Sequence, residues 1–303
     1  MNIIGRRRIW YLISLILILP GVVALFVWGL KTGIDFKGGT LVEIQFSQSV
    51  DKDKISQSIT ESGINPFILQ TSGEAYIIKT DVLSSESQTK LSENLAKIGE
   101  YQQNRLETVG PTVSSDLKRK AIIAVILASL AIILYIAIAF RKVPKPASSW
   151  RFGVCAIIAL THDLLFVAGL FAILGHFFDF EIDTLFITAL LTIMGFSVHD
   201  TIVVFDRIRE NLRKSPSNSF EVNVNNSILQ TVNRSLNTSF TVLIVLLSMY
   251  FLGGETLKPF ILALLVGIAI GTYSSIFNAS PLLVSWQLWS LRRASRAKAK
   301  LAS

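Results

Sequence analysis

Cysteine occurs once, at Cys155, and histidine three times, at His162, His176 and His199. A single thiol inside an apolar run excludes an intrachain disulfide, and the three histidines have no metal-ligand spacing. Charge is also scarce: 17% of residues are charged against 51% hydrophobic, with a mean hydropathy of +0.53. That balance excludes an ordinary soluble domain and points to a membrane protein. The G-x-x-x-x-G-K-[ST] phosphate loop is missing, and the one glycine-rich string, Gly33 to Thr40, leads into a strand pattern and not a helix. The net charge of +8 would suit nucleic acid if it were gathered on a soluble face. Instead, Lys and Arg fall between apolar runs, which gives them a topological role and argues against a nucleic-acid partner.

The apolar runs are Ile9–Leu30, Ala121–Phe140, Phe152–Leu174, Thr184–Phe205, about Ser235–Leu252 and Pro259–Trp289, each able to cover ~30 Å. The first follows Arg6, Arg7 and Arg8. It is longer than the apolar core of a signal peptide and lacks a small-residue cleavage site, so it reads as a retained helix, kinked at Pro20-Gly21. Residues 31–120 are the only long polar stretch. Their alternations predict strand Leu41–Phe46, helix Asp51–Glu61, strand Phe67–Gln70, a turn at Ser72–Glu74, strand Ala75–Lys79, helix Ser84–Ile98 and strand Gln103–Val109. That order is the ferredoxin-like β-α-β-β-α-β pattern. Glu43, Asp51, Asp53 and Glu93 sit where solvated faces put them, and nothing in the domain looks catalytic.

The predicted fold is thus a polytopic α-helical membrane protein with six transmembrane helices and a ferredoxin-like α+β domain between helices 1 and 2. It comprises a short N-terminus (1–8), helix 1 (9–30), the domain (31–120), a five-helix region (121–290) and a basic tail (291–303). Basic residues collect at Arg141, Lys142, Lys145 and Arg151, at Arg207, Arg209, Arg213 and Lys214, and in the tail from Arg292 to Lys300. The positive-inside rule then puts both termini in the cytoplasm and the domain outside.

Polar residues inside the runs carry the chemistry. Asp200 lies within the fourth run, about 9 Å along a helix from Asp206. A carboxylate in hydrocarbon costs ~2.5–3.5 kcal/mol on insertion scales, so Asp200 is a functional candidate. Asp206, Arg207 and Arg209 form a charge cluster at the cytoplasmic end of that helix. Helical spacing groups Thr188, Thr192, Ser197 and Asp200 on roughly one side, with Gly195 allowing close approach of a neighbour. Arg234, at the head of the fifth run, either pairs with Asp200 or snorkels to the interface. His162-Asp163 near the middle of the third run needs either a proton path or a structural hydrogen bond between helices. Ser197 and His199 are two apart and cannot form a nucleophilic pair, which excludes an intramembrane protease. Gly33, Asp35, Gly38 and Gly39, with Gly110 and Pro111 at the domain's exit, are either tight turns or a hinge and docking surface.

GIDFKGGT after the first helix, Val109-Gly110-Pro111, His162-Asp163, GFSVHDTIVVFDRIREN and NRSLNTS together resemble the SecF family, the smaller membrane subunits of the bacterial SecDF protein-export complex. The resemblance implies half of a resistance-nodulation-division fold, completed by SecD. It implies proton transport through Asp200 and Arg234, movement of the outer domain with the proton cycle, and no cofactor beyond the proton gradient. The implied partners are SecD, the SecYEG channel with SecA, YajC and the translocating unfolded polypeptide, at the bacterial inner membrane, without enzymatic activity. The alternatives are a stand-alone proton-driven exporter of the same superfamily acting as a homo-oligomer, and a receptor sensing a ligand through the outer domain.

Overall fold

A computed structural model describes residues 2–141, 143–144 and 148–302; Lys142 and Lys145 of the predicted basic loop lie outside the described residues. In chain order the elements are α1 (Arg7–Val27), α2 (Ile34–Lys37), β1 (Gly39–Phe46), α3 (Lys52–Glu61), β2 (Phe67–Ser72), β3 (Ala75–Thr80), α4 (Ser85–Ile98), β4 (Tyr101–Val109) and α5 (Pro111–Ala139). There follow α6 (Ser149–Phe178), α7 (Thr184–Lys214), α8 (Phe220–Leu252), α9 (Lys258–Ser274), a π-helical turn at Ser275–Ala279 and α10 (Ser280–Ala302). Two compact units result. One holds the residues up to Lys31, Ala124–Phe180 and those from Leu185 on; the other holds Thr32–Ile123 and Glu181–Thr184.

Among the described residues, six helical segments are long and apolar enough to cross a membrane, the last joining α9 and α10 through the π turn. The helices outrun the apolar runs that announced them. α5 starts at Pro111, whose fixed φ suits a first helical position. α7 continues past its apolar part to Lys214, and α8 begins at Phe220, where the Ser219 hydroxyl accepts from the Val222 N–H at 3.3 Å. The stretch Arg207–Arg234 is therefore two helix ends and a short turn. Polar residues sustain helix readily once outside the apolar layer, and hydropathy registers only the part within it. Side-chain pairs then tie these ends together: Asn211 donates to Ser227 Oγ at 2.8 Å, and Arg207 Nε donates to Gln230 Oε1 at 2.6 Å.

Packing follows the small residues. A Cβ at Gly169 of α6 would lie 2.5 Å from the Gly21 Cα of α1, so these helices cross in backbone contact that only glycine allows. Phe140, Phe152 and Phe205 fill the space between α5, α6 and α7, with ring centroids 5.0–5.8 Å apart.

The α+β unit carries a four-stranded antiparallel sheet in the order β2-β3-β1-β4. β1 is central because it is the apolar strand: Leu41, Val42, Ile44 and Phe46 are buried, whereas β4 is mostly exposed. Asp51 and Ser84 cap α3 and α4 by accepting from the N–H groups of Asp53 and Ser87. Ile55, Ile59, Leu91 and Leu95 of these helices close over Val42, Ile44 and Ile78 of the sheet. The alternation over residues 41–109 predicts the element order found, and Gly73 supplies the positive φ of the β2–β3 turn.

Candidate functional site

The centre of the helical unit is assembled by two glycines one helical turn apart on α9. A Cβ at Gly267 would stand 2.2 Å from Ile193 Cδ1, and one at Gly271 would stand 3.2 Å from Ser197 Cβ. Small residues at i and i+4 let α7 and α9 approach closely. The hydroxyls that follow on α9 therefore meet the carboxyl groups of its neighbours.

Asp163 of α6 is wholly buried. Its Oδ2 accepts from Ser197 Oγ of α7 at 2.6 Å and from Ser274 Oγ of α9 at 2.7 Å, and its Oδ1 lies 3.0 Å from Nδ1 of His162. Asp200 of α7 lies on the other side of the α7–α9 contact. Its Oδ2 accepts from Thr272 Oγ1 at 2.9 Å. Ser239 of α8 bonds to Thr272 in turn. Ser235 of α8 also lies beside the Asp200 carboxyl, its buried hydroxyl outside hydrogen-bond geometry. Between the two acids, Thr201 Oγ1 and Ser275 Oγ are 2.8 Å apart, and Ser275 reaches the Ser197 carbonyl at 3.2 Å. Ser275 opens the π turn. A carboxyl group surrounded by rotatable hydroxyls can be served by donors or acceptors, since a hydroxyl is both.

The structure separates residues that the sequence groups together. Ser197 and Asp200 are buried, but Thr188, Thr192 and Gly195 are exposed on a different stripe with His199, and a Cβ at Gly195 would meet nothing within 4 Å. Positions 188, 192, 195 and 199 follow the i, i+4, i+7 rule, which Ser197 and Asp200 break. Arg234 lies inside α8 and not at its head, and it is exposed. Its neighbour Ser235 turns to Asp200, which puts the guanidinium about 100° away round the helix. Arg234 and Asp200 do not pair in this structure.

The charge cluster is a set of ion pairs within one helix: Asp206 with Arg209, and Arg207 with Glu210. Arg209 additionally donates to the Ala139 carbonyl at 3.1 Å, satisfying the end of α5.

Within the α+β unit, the Gly33 N–H donates to the Ile182 carbonyl at 2.9 Å. Asp35 Oδ2 accepts from both the N–H and the hydroxyl of Thr184, at 2.9 and 2.6 Å. Thr184 begins α7, so Asp35 acts as its N-cap from far along the chain, an interaction worth about 0.5–2 kcal/mol. Gly38 and Gly39 have φ of +81° and +140°, and a Cβ at Gly39 would lie 2.6 Å from the Thr80 carbonyl. Pro111 starts α5, and Gly110 has open space around it. Thr272, Ser274 and Ser275 escape the sequence reading, and Ser235 and Ser239 enter it only as part of the NRSLNTS string. The signal was there: GIAIG at 267–271 followed directly by Thr272-Tyr273-Ser274-Ser275 inside an apolar run.

The comparisons fall on these same features. The family model for the protein export membrane protein SecD/SecF, C-terminal, matches residues 88–289, and that for the SecD/SecF GG motif matches residues 23–50. The protein translocase subunit SecF of Thermobaculum terrenum is 48% identical, covering 94% of each chain, and that of Anaerolinea thermophila is 39% identical, covering 100% of this chain and 99% of the relative. Among solved structures, SecDF from Thermus thermophilus, described as a translocon-associated membrane protein, superposes with a TM-score of 0.83 at 36% identity. It covers 95% of this chain, which spans only 38% of that one. SecDF in a super-membrane-facing form gives 0.70 at 34% identity, covering 99% and 40%. Because the matched region runs from the last helix of the α+β domain through the helices that hold Asp163, Asp200 and the α9 hydroxyls, the chain belongs to the SecD/SecF family of protein-export membrane proteins, on its SecF side.

Proposed function

We propose that this chain is an auxiliary, non-enzymatic subunit of the Sec protein translocase that works with SecD at the bacterial inner membrane. It uses the proton gradient, with no other cofactor, to promote late steps of polypeptide translocation. SecD supplies the other half of a resistance-nodulation-division fold. SecYEG with SecA, YajC and the unfolded polypeptide are the further partners. Both termini are cytoplasmic, and the domain of ferredoxin-like topology lies outside.

The observation that carries this reading is the setting of Asp200. It is a buried carboxyl group on a helix apolar enough to span the membrane, yet among the described residues the Thr272 hydroxyl is the one donor in good geometry, with Ser235 and Ser239 beside it. Asp200 takes up and releases the proton. Arg234 becomes its partner when α7 and α8 turn relative to each other, or acts across the exposed stripe of Thr188, Thr192, Gly195 and His199 that SecD covers. Each proton delivers ~2.3 kcal/mol per 100 mV of membrane potential, enough to bias such a helix shift.

The test is export of a secretory precursor by membranes whose only copy carries Asp200→Asn, with and without a proton gradient. The gradient-dependent part of export is expected to disappear while the protein still accumulates with SecD. Full gradient-dependent export by this variant would refute Asp200 as the carrier, and stable function as a homo-oligomer without SecD would favour a stand-alone exporter.

A further inference from the structure

The residues that join the α+β domain to α7 form a second constellation, which the proton site does not use. Glu181–Thr184 leads straight into the Asp200-bearing helix, yet it packs with Thr32–Ile123 as part of the α+β unit. Several contacts hold it there, these among them. Thr32 and Ile182 form a parallel bridge, and the Gly33 N–H donates to the Ile182 carbonyl at 2.9 Å. Lys79 of β3 pairs with Glu181 at 2.9 Å, both side chains being largely buried. Asp35 takes both the N–H and the hydroxyl of Thr184.

Asp35 is itself fixed to the sheet. It sits in the single turn α2, and Gly39 at the end of that turn lies so near the Thr80 carbonyl of β3 that no side chain fits. Beyond Thr184 the chain is unbroken helix to Asp200, a run of about 24 Å. An α-helix carries an axial displacement along its length, because every turn is bonded to the next. A shift of the sheet therefore passes through α2 and Asp35 to the first residue of α7.

We propose that Asp35 is a positioning residue, a clamp by which the α+β domain holds α7, so that movement of the domain and the protonation of Asp200 are coupled through this cap. The proposal rests on the reading of Asp200 as the proton carrier. It gives the glycine-rich string a mechanical role: Gly38 and Gly39 hold the clamp against the sheet, and the Lys79–Glu181 pair keeps the clamped segment in register.

The test compares Asp35→Ala and Asp35→Asn in membranes with wild-type amounts of SecD and with no other copy of this chain. Asn keeps an acceptor for Thr184 and Ala does not. Asp35→Ala is expected to lower gradient-dependent export at least fivefold with little change in export driven without a gradient, and Asp35→Asn to recover at least half of the loss. Full gradient-dependent export by Asp35→Ala would overturn the proposal, as would equal loss in both modes of export, which marks a purely structural cap. Should Asp35→Ala fail to accumulate, Asp35→Cys with Thr184→Cys on a Cys155→Ala background decides. Bridging the two thiols with a short bis-maleimide is expected to restore gradient-dependent export, and no difference on bridging overturns the clamp. Asp200→Asn run in parallel separates the two ideas. Loss there with normal Asp35→Ala export refutes the clamp alone, whereas loss in Asp35→Ala with normal Asp200→Asn export refutes the proton carrier and leaves coupling through α7 standing.

Discussion

Asp163 and Asp200 are two carboxyl groups buried in the same helical unit, and their surroundings differ in kind. Asp163 takes hydroxyls from α7 and α9 and stands beside a histidine of its own helix, so both of its oxygens are occupied. Among the described residues, Asp200 has Thr272 as its one donor in good geometry, with Ser239 behind that hydroxyl and Ser235 near and unengaged. A saturated buried acid acts as a knot between helices, since moving any one of them strands a donor. A partly satisfied acid can exchange partners at small loss. The difference teaches that burial of a carboxyl group does not by itself mark the working residue, and the count of its partners separates fastener from candidate carrier.

The comparison breaks first at Asp163→Ala. Ser197, Ser274 and His162 would each lose a partner in a packed interior, at about 1–3 kcal/mol for a buried group left unpaired. The sum is expected near ~3 kcal/mol, since hydrogen bonds inside membranes run toward the low end. Thermal unfolding in detergent would show it, and a loss below ~1 kcal/mol would mean that Asp163 is no knot. Next comes Thr272→Val, which removes the one well-placed donor to Asp200. About 1 kcal/mol of stability is expected to go, with gradient-dependent export falling further than stability does and Thr272→Ser close to wild type. Parallel loss of both quantities would reduce Thr272 to packing.

Gly271→Ala sharpens the contrast at smaller amplitude. The added Cβ would press on Ser197, 3.2 Å away, and disturb the Asp163 knot before it reached Asp200. A loss at or below about 1 kcal/mol is expected, the low end for overpacking, without a change in the proton dependence of export. The smallest effect belongs to a third carboxyl group, in the α+β domain and fully open to water. The Lys90 ammonium hydrogen-bonded to Glu86 at 2.7 Å holds that acid below the usual carboxylate range. A depressed folded pKa adds stability above the unfolded value, and this is lost as pH falls through the folded one. Lys90→Met is expected to return Glu86 toward its ordinary titration, visible by side-chain NMR. Little stability should change, because the pair is exposed and screened.

Much of this architecture is legible in the chain. Alternation over Leu41–Val109 predicts every strand and helix of that stretch to within a few residues, because a two-sided sheet imposes period two and its covering helices 3.6, whereas the turn of helix α2 before it is not predicted. Apolar runs mark the six helical segments that, among the described residues, are long and apolar enough to cross a membrane. The helix ends are less legible, since Pro111–Lys120, Arg207–Lys214 and Phe220–Arg234 are helical without being apolar. In the site, Asp163 and Asp200 stand out because charge is conspicuous among Leu, Ile and Phe. The hydroxyls of α8 and α9 do not: Ser and Thr satisfy their own helix backbone at i−4 and pass unnoticed in an apolar run.

Arg234 and the stripe at Thr188 mark the boundary. Sequence alone placed two acids and several hydroxyls inside runs apolar enough to cross a membrane, because composition and run length depend on residues one at a time. Only the tertiary structure decided which of them meet. It set Ser197 toward Asp163, Ser235 toward Asp200 and Arg234 away from both, and it brought Asp35 to the head of α7 from 149 residues away in the chain. Those contacts depend on how far each helix is rotated about its axis and on where glycine lets two backbones approach, quantities that no single helix carries in its own sequence.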